Sequence, residues 1–110
     1  MIKFNIFDMF SSKGRIIHED EYCIIRETRK LNNINVHSVT LYKNKHTNPL
    51  LFKEHDVIYV IIDGNASIES SNRIIKCRNY DIVFVPNNEQ HIIVNTGDIH
   101  LRYLIMKEKI

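Results

Sequence analysis

The apolar residues of this chain come in short runs, rich in β-branched and aromatic side chains, with turn-forming residues between them. Such runs are typical of β-strands, whereas an amphipathic helix needs a longer segment with a period near 3.6 residues. The pattern predicts an all-β chain. Its predicted strands are Ile2–Phe7, Arg15–His18, Tyr22–Arg29, Ile34–Tyr42, Asp56–Asp63, Ala66–Glu69, Arg73–Cys77, Ile82–Val85, His91–Asn95 and Ile99–Met106.

The connections between the predicted strands are short and polar, and only Asp8–Gly14 reads as a helical turn or an irregular excursion. Strands at this density, with no helices between them, indicate an antiparallel sandwich or barrel. A chain of 110 residues corresponds to one domain. We therefore expect a single domain over 1–110, with N-terminal strands in 1–33 and the barrel core in 34–106.

The run from Val57 to Asp63 is apolar at successive positions instead of alternating. A strand with one face in water would alternate apolar and polar residues, so both faces of this one should be covered. One face would line the barrel, and the other would meet a second layer or a partner subunit. The run predicts a homodimer.

Charge and cysteine usage narrow the class of protein. The net charge is only +2 and the basic residues are dispersed, so there is no strong case for nucleic acid as a partner. No window approaches the roughly 18 apolar residues that a membrane span needs. Cys23 and Cys77 lack the Cys-x-x-Cys spacing of zinc or thiol-redox sites and read as free thiols. These features predict a cytoplasmic protein.

The segment from Asp81 to Asn95 contains the most informative spacing. Pro86 should end one strand, because it offers no amide to a continuing ladder, and a polar turn follows. His91 and Asn95 then share one face of the returning strand, because side chains alternate along it. An imidazole and a carboxamide are thus predicted to point into the same space.

These residues resemble the second conserved motif of the cupin superfamily. Pro86, His91 and Asn95 have the family's spacings, and Asp81 has its acidic position, whereas Tyr80 and Asn88 stand where the family usually has glycine. The resemblance covers roughly 36–106, including the final Asn-Thr-Gly-Asp turn and last strand. It implies an antiparallel double-stranded β-helix, the jelly-roll barrel of cupins.

The first cupin motif, which supplies most metal ligands in the family, is degenerate here. Gly64 fits its closing glycine, but Val57 falls at the glutamate position. Counting back from His55, the two histidines of the motif would fall on Pro49 and Leu51. Neither residue can bind a metal.

The resemblance still implies a possible site inside the barrel. A transition metal would need three or four nitrogen or oxygen ligands. The candidate metal ligands in the sequence are His91, His55 and Asp56, with His46 and Glu54 as alternates. The cofactor is accordingly either none or one divalent transition metal. His18, His37 and His100 have no motif support and read as surface or edge residues.

A ligand-binding pocket is the other use of the same space. Tyr59 and Tyr103 lie in predicted strands and can present hydroxyl groups to a polar ligand beside His91 and Asn95. Loss of the His-x-His pair favours a non-catalytic or sensory barrel that binds a small molecule. The stretch from Glu54 to Gly64 is also similar to the ligand-binding half of arabinose-type transcriptional regulators.

Two enzymatic alternatives stay open at this level, so the sequence leaves undecided whether the protein is an enzyme. One is a metal-dependent dioxygenase, isomerase or decarboxylase that uses His91 and His55. The other is a metal-free enzyme similar to the sugar-nucleotide epimerases of this fold, which use a His-Asp base and a Tyr acid. One barrel carries many chemistries, so the fold alone does not decide among them.

Overall fold

The computed structural model describes residues 3, 5–11, 14–31 and 34–109, and only the backbone of 28–31 and 109. One short helix precedes nine strands in the described chain. Their bounds are α1 Ile6–Met9, β1 Arg15–Glu19, β2 Cys23–Leu31, β3 Ile34–Leu41, β4 His55–Asp63, β5 Ala66–Ser70, β6 Ile74–Cys77, β7 Ile82–Val85, β8 His91–Asn95 and β9 Leu101–Lys109.

The strands form two antiparallel sheets that face each other. The six-stranded sheet has the order β1-β2-β3-β9-β4-β7, and the three-stranded sheet has the order β6-β5-β8. Single bridges from His46 to Val94 and from Leu50 to His91 lay the segment before β4 against β8. This arrangement confirms the predicted all-β double-stranded β-helix.

The core lies between the inner faces of the two sheets. Strand alternation sends Val57, Tyr59 and Ile61 of β4 inward, where they meet Ile68 of β5 and Ile93 of β8. All five are buried because each strand turns alternate residues toward the facing sheet. The barrel interior around the predicted site is therefore mostly aliphatic and aromatic.

A second, smaller apolar cluster covers the outer face of the large sheet. Met9 of α1 packs there with Val36 and Leu104, and Val60 and Ile62 of β4 pack against this cluster. The outer face of β4 is thus partly covered from within the chain, by α1. This accounts for much of the non-alternating run without a partner subunit.

The strand predicted over Ile2–Phe7 is wrong in its second half. Asn5 accepts a hydrogen bond from the Phe7 amide at 2.9 Å and begins α1 at Ile6, and the helix ends at Met9. An asparagine that caps a first turn favours helix over strand. Residues 2 and 4 of the predicted strand lie outside the described part of the chain.

Tyr80 and Asn88, the two residues that stand in glycine positions of the motif, both have left-handed backbones, with φ of 73° and 66°. Asparagine tolerates this region, whereas for other residues with a Cβ it costs roughly 1–2 kcal/mol. Tyr80 nevertheless keeps its amide bonded to the Ile61 carbonyl at 2.7 Å. The motif's turns are present although its glycines are not.

Replacing Tyr80 with glycine should therefore raise the free energy of unfolding by about 1 kcal/mol, because the left-handed strain is relieved. Little burial is lost, since the tyrosine is 80% exposed. Urea denaturation of the wild type, Tyr80→Gly and Tyr80→Ala measures the effect. Alanine removes the same ring but keeps the Cβ, so a gain of equal size in Tyr80→Ala would contradict backbone strain as the cause.

No helix in the described residues is long and apolar enough to cross a membrane. The two cysteines are free: Cys77 is buried and Cys23 is half-buried. This confirms the prediction of two unpaired thiols.

Candidate functional site

His91 lies at the start of β8 on its inner face and is 3% exposed. Pro86 follows the end of β7, and the turn with the left-handed Asn88 reverses the chain. The Asn88 amide is bonded to the Phe52 carbonyl at 2.9 Å, which anchors this turn to the segment before β4. The local sequence thus places the imidazole in the barrel interior.

Both ring nitrogens of His91 are hydrogen-bonded within the protein. Nδ1 lies 2.8 Å from the Glu89 carbonyl oxygen, and Nε2 lies 2.7 Å from the Tyr59 hydroxyl. A carbonyl only accepts, so Nδ1 carries the proton and Nε2 accepts the hydrogen bond from the tyrosine. The imidazole is held in one orientation by groups that are themselves buried or in the backbone.

Tyr59 and Tyr103 support this imidazole from the core. Tyr59 is completely buried and Tyr103 is 2% exposed, and their rings meet edge to face at 5.8 Å. Burial raises the pKa of both phenols, so both stay protonated at neutral pH. Tyr59 therefore serves as a permanent hydrogen-bond donor to His91.

A cleft of about 290 Å³ reaches His91 from the surface between β5, β6 and β7. Its walls are apolar, and its rim carries the polar side chains of Ser70, Arg73 and Glu89. Arg73 is exposed, and within the described part of the chain no carboxylate forms an ion pair with its guanidinium. The apolar lining consists of Ile68, Ile75, Val83, Phe84, Val85 and Pro86.

A larger groove of about 690 Å³ runs over the outer face of β5 and β6. It is lined by outward-facing residues such as Ser67, Glu69, Ile74 and Lys76. It contains none of the predicted site residues. The smaller cleft is therefore the one that joins the motif histidine to the surface.

The residues around His91 do not fit a bound metal. The lone pair of Nε2 already accepts from Tyr59, and Leu50 pairs with His91 through two backbone hydrogen bonds of 2.8 and 3.0 Å. The Phe52 ring lies 6.2 Å from the imidazole. Leu50 and Phe52 pack against the core beside His91. The sequence had predicted Pro49 and Leu51 at the two histidine positions of the first motif. The inward register differs by one residue, and both inward residues are still apolar.

None of the other predicted metal ligands lines the cleft beside His91. His55 shares the inner face of β4 with Tyr59 but lies four residues away along the strand, about 13 Å between Cα atoms. Asp56 points to the opposite face, and its Oδ1 accepts from the Asn87 amide at 3.0 Å. The alternates Glu54 and His46 are both exposed. Among the described residues, none of these side chains belongs to a group of three potential ligands.

His55 instead lies on the inner face at the start of β4, where it pairs with Lys109 of β9. Its Nδ1 is buried with no hydrogen-bond partner among the described residues. His37 of β3 also faces inward, level with Ile105 of β9 and Tyr59 of β4, with Nε2 3.5 Å from a Glu27 oxygen. Burial and the nearby Lys107 ammonium lower the pKa of His37, and Glu27 partly offsets this. His37 is thus half-buried rather than a surface histidine.

Asn95 is placed away from the cleft by its hydrogen bonds. Its Nδ2 donates to the carbonyls of Leu41, Tyr42 and Ile99 at 3.1, 3.2 and 2.9 Å, and its Oδ1 accepts from the Gly97 amide at 3.0 Å. The side chain is 5% exposed. It joins the end of β3 to the turn before β9, which indicates a structural role instead of the predicted contact with a ligand.

Sequence reasoning missed the rim of the cleft. Arg73 begins the return from the β5–β6 turn, and its carbonyl accepts from the Ser70 amide at 2.8 Å. Glu89 contributes both its side chain to the rim and its carbonyl to His91. No pattern marks Arg73, because its position against β7 depends on how the two sheets face each other. Glu89 had a usable signal, since it lies two residues before the motif histidine.

Comparison with protein-family models and with curated proteins finds no match to this sequence. Solved structures do match. A predicted oxalate decarboxylase from Thermotoga maritima is similar at 17% identity and a TM-score of 0.75, over 80% of this chain and 81% of that one. A cupin superfamily protein from Desulfitobacterium hafniense is similar at 16% identity and a TM-score of 0.74, over 86% and 84%.

A cupin-2 domain protein from Shewanella frigidimarina is similar at 13% identity and a TM-score of 0.74, over 96% of this chain and 94% of that one. Identities this low establish the fold and nothing about activity. With the two facing antiparallel sheets and His91 at the motif position, they confirm the fold that the sequence resemblance implied. The chain has the fold of the cupin superfamily.

Proposed function

We propose that this chain is a non-catalytic binding domain that holds a small molecule in the cleft beside His91. The observation that carries the proposal is the 290 Å³ cleft itself, which joins apolar walls to a buried histidine and to an exposed arginine at the rim. Sites for small molecules are typically concave, mostly apolar and equipped with a few polar groups. This cleft has that composition.

The lining favours a ligand with an apolar body and an acidic group. The volume lies at the lower end for small-molecule sites, so the ligand should be no larger than a substituted aromatic ring. Arg73 can pair with a carboxylate through two parallel hydrogen bonds. Glu89 on the same rim would repel a second acidic group placed beside it.

The state of His91 supports binding rather than catalysis. A general base needs a free nitrogen near the substrate, and both nitrogens of this imidazole are bonded to the protein. Its Nδ1 partner is a backbone carbonyl, whereas the epimerase-like alternative requires a carboxylate. The metal-enzyme alternative would need further metal ligands beside His91, where the apolar side chains of Leu50 and Phe52 lie. The similarity to the predicted oxalate decarboxylase therefore supports the fold of this chain, and the activity named for that protein is not part of the proposal.

A simple aryl carboxylate, 3-phenylpropionate, is a suitable probe of the cleft. We expect Arg73→Gln to weaken its binding about tenfold, because a charge-assisted hydrogen bond at an exposed rim contributes on the order of 1.5 kcal/mol. The neutral 3-phenylpropionamide should bind both proteins equally. Isothermal titration calorimetry measures both ligands.

Arg78→Gln is the matched control, because Arg78 is an exposed arginine that lines the outer groove and not the cleft. Its binding of the carboxylate should equal that of the wild type. Equal affinities in wild type and Arg73→Gln would contradict the assigned ligand chemistry. Equal weakening by Arg73→Gln and Arg78→Gln would mean that the loss of affinity comes from the change in net charge and not from a contact made by Arg73.

We also propose that two copies associate through the uncovered part of the large sheet's outer face. Ile82 and Phe84 of β7 are 68% and 58% exposed, and they pair with Val60 and Ile58 of β4. The α1 cluster covers the neighbouring part of this face but leaves these two residues open. Contiguous exposed apolar surface of this kind is typical of interfaces.

Ile82→Glu should convert a dimeric wild type to a monomer, because a carboxylate would be buried without a partner in the interface. Sedimentation equilibrium measures the change. Ile74→Glu is the control, since Ile74 is 66% exposed on the other sheet and should leave the dimer intact. A monomeric wild type would overturn this part of the proposal.

The proposed role is sensory and the proposed location is the cytoplasm. Two free thiols at Cys23 and Cys77 suit a reducing compartment. The similarity of Glu54–Gly64 to the ligand-binding half of arabinose-type regulators supports a domain that reports the presence of its ligand.

A further inference from the structure

The turn between β1 and β2 carries three different metal-ligating side chains. One ligand atom each from His18, Asp20 and Cys23 lies within 4.8 Å of the other two. His18 Nε2 and Asp20 Oδ2 are 2.7 Å apart. In the described residues this is the one such group, and it lies on the outside of the barrel, separate from the cleft at His91.

The carboxylate of this group is held in place by the backbone. Asp20 Oδ1 accepts from the amides of Tyr22 and Cys23 at 2.7 and 3.0 Å, so Oδ2 is left to face the other two side chains. The Asp20 amide in turn donates to the Cys23 carbonyl at 3.0 Å, which closes the turn. Hydrogen bonds to the non-ligating atom of a carboxylate orient metal ligands in known sites.

The surrounding charge also suits a cation. Glu19, Asp20 and Glu21 are consecutive and exposed, in a chain whose overall net charge is +2. This turn is therefore a local acidic site in a weakly basic protein. Its field raises the local concentration of divalent cations.

We propose that His18, Asp20 and Cys23 form a zinc-type metal site, with one nitrogen, one oxygen and one sulfur ligand and an open fourth position for water. Thiolate and imidazole select Zn²⁺ over Mg²⁺ and Ca²⁺, which prefer oxygen ligands alone. On binding, the Cys23 thiol releases its proton to solvent and the sulfur bonds to the metal. No oxidant or reductant is involved.

The side chains need only small movements to bind. Zinc bonds of about 2.0–2.3 Å in a tetrahedron separate neighbouring ligand atoms by about 3.4 Å. His18 Nε2 and Asp20 Oδ2 must therefore part by less than 1 Å from their present 2.7 Å. Both side chains are substantially exposed, at 51% and 38%, so little packing opposes this movement.

Metal binding would fasten the outermost hairpin of the large sheet. Among the described strands β1 lies at the edge of the sheet and pairs with β2 alone, and its five residues are all exposed. His18 lies on β1, and Cys23 begins β2 and packs against the barrel core. The metal would join the edge strand to the core through these two ligands. Metal bound only by the folded state would also raise the melting temperature.

Titration with Co²⁺ tests the site directly, because a cobalt–thiolate bond gives a charge-transfer absorption in the near ultraviolet and tetrahedral cobalt gives intense visible bands. We expect one equivalent to bind the reduced wild type, and Zn²⁺ to displace it. Cys23→Ser should abolish the charge-transfer band. His18→Ala should weaken Co²⁺ binding at least tenfold.

Cys77→Ser and His46→Ala are the matched controls, because they remove the chain's other cysteine and another exposed histidine. Both should retain the spectrum of the wild type. His18 is exposed, so His18→Ala should fold normally and keeps the test valid if Cys23→Ser does not. A wild type without a thiolate band at saturating Co²⁺, or a band that persists in Cys23→Ser, would overturn the site.

Discussion

Replacing Asn95 with aspartate is expected to lower the free energy of unfolding by about 4 kcal/mol at pH 7. The two side chains have the same shape, but aspartate cannot donate to the carbonyls of Leu41, Tyr42 and Ile99. Each buried group left without its partner costs about 1–3 kcal/mol, and a buried carboxylate facing carbonyl oxygens adds repulsion. Urea denaturation measures the loss.

The pH dependence of this variant identifies the cause. A carboxyl group buried against carbonyl oxygens has a folded-state pKa above its unfolded value, so protonation favours the folded state. The deficit relative to the wild type should therefore shrink as the pH falls through that raised pKa. A deficit that is independent of pH would contradict the assigned hydrogen bonds.

Asn79→Asp is the control for this prediction. Asn79 uses its oxygen, which accepts from the Gly64 amide at 2.7 Å, and aspartate keeps that acceptor. The same substitution should therefore be nearly neutral at Asn79. Equal losses at both positions would attribute the effect to added negative charge and not to lost donors.

Replacing Tyr59 with phenylalanine is expected to cost about 2 kcal/mol of unfolding free energy. The ring is kept, but His91 Nε2 loses the one hydrogen bond that it accepts. Tyr59 is completely buried, so water cannot take the place of the hydroxyl. An unsatisfied buried acceptor costs about 1–3 kcal/mol.

Tyr103→Phe is the matched control, because Tyr103 packs against Tyr59 at a similar depth. Within the described residues its hydroxyl makes no hydrogen bond to His91. Its loss should cost less than the loss of the Tyr59 hydroxyl. In a double-mutant cycle, Tyr59→Phe and His91→Phe should be coupled by about 1 kcal/mol or more, and additivity would contradict the pair.

The sequence predicted β3 to β9 to within three residues at each end, because their runs and turn signals are local. Ile82–Val85 and His91–Asn95 were predicted with the bounds that the structure has. The N-terminus was mispredicted because an apolar segment fits a strand or a helix, and the Asn5 cap decides between them. Tyr80 also shows that a turn can keep its left-handed geometry without glycine.

The candidate site was predictable in part. Motif spacing placed His91 on an inner strand face, and Tyr59 was predicted to face the same pocket as a contact to a ligand. Its hydrogen bond to His91, across 32 residues and from the other sheet, was not predicted. The register between two packed sheets follows from core packing and leaves no local mark on the sequence. The His18 group was not predicted for a different reason, because the Cys-x-x-Cys spacing marks pairs of cysteines and this group combines three residue types.

We propose that the cleft beside His91 binds a small acidic ligand without a metal at that histidine. Amide chemical shifts of the wild type during titration with 3-phenylpropionate, in excess chelator, test this most directly. We predict saturable shifts at Ile68, Ile75, Val83 and His91, with no change at Ser67 or Lys76 of the outer groove. Shifts confined to the outer groove, or no saturable shift at any concentration that keeps the protein folded, would contradict it.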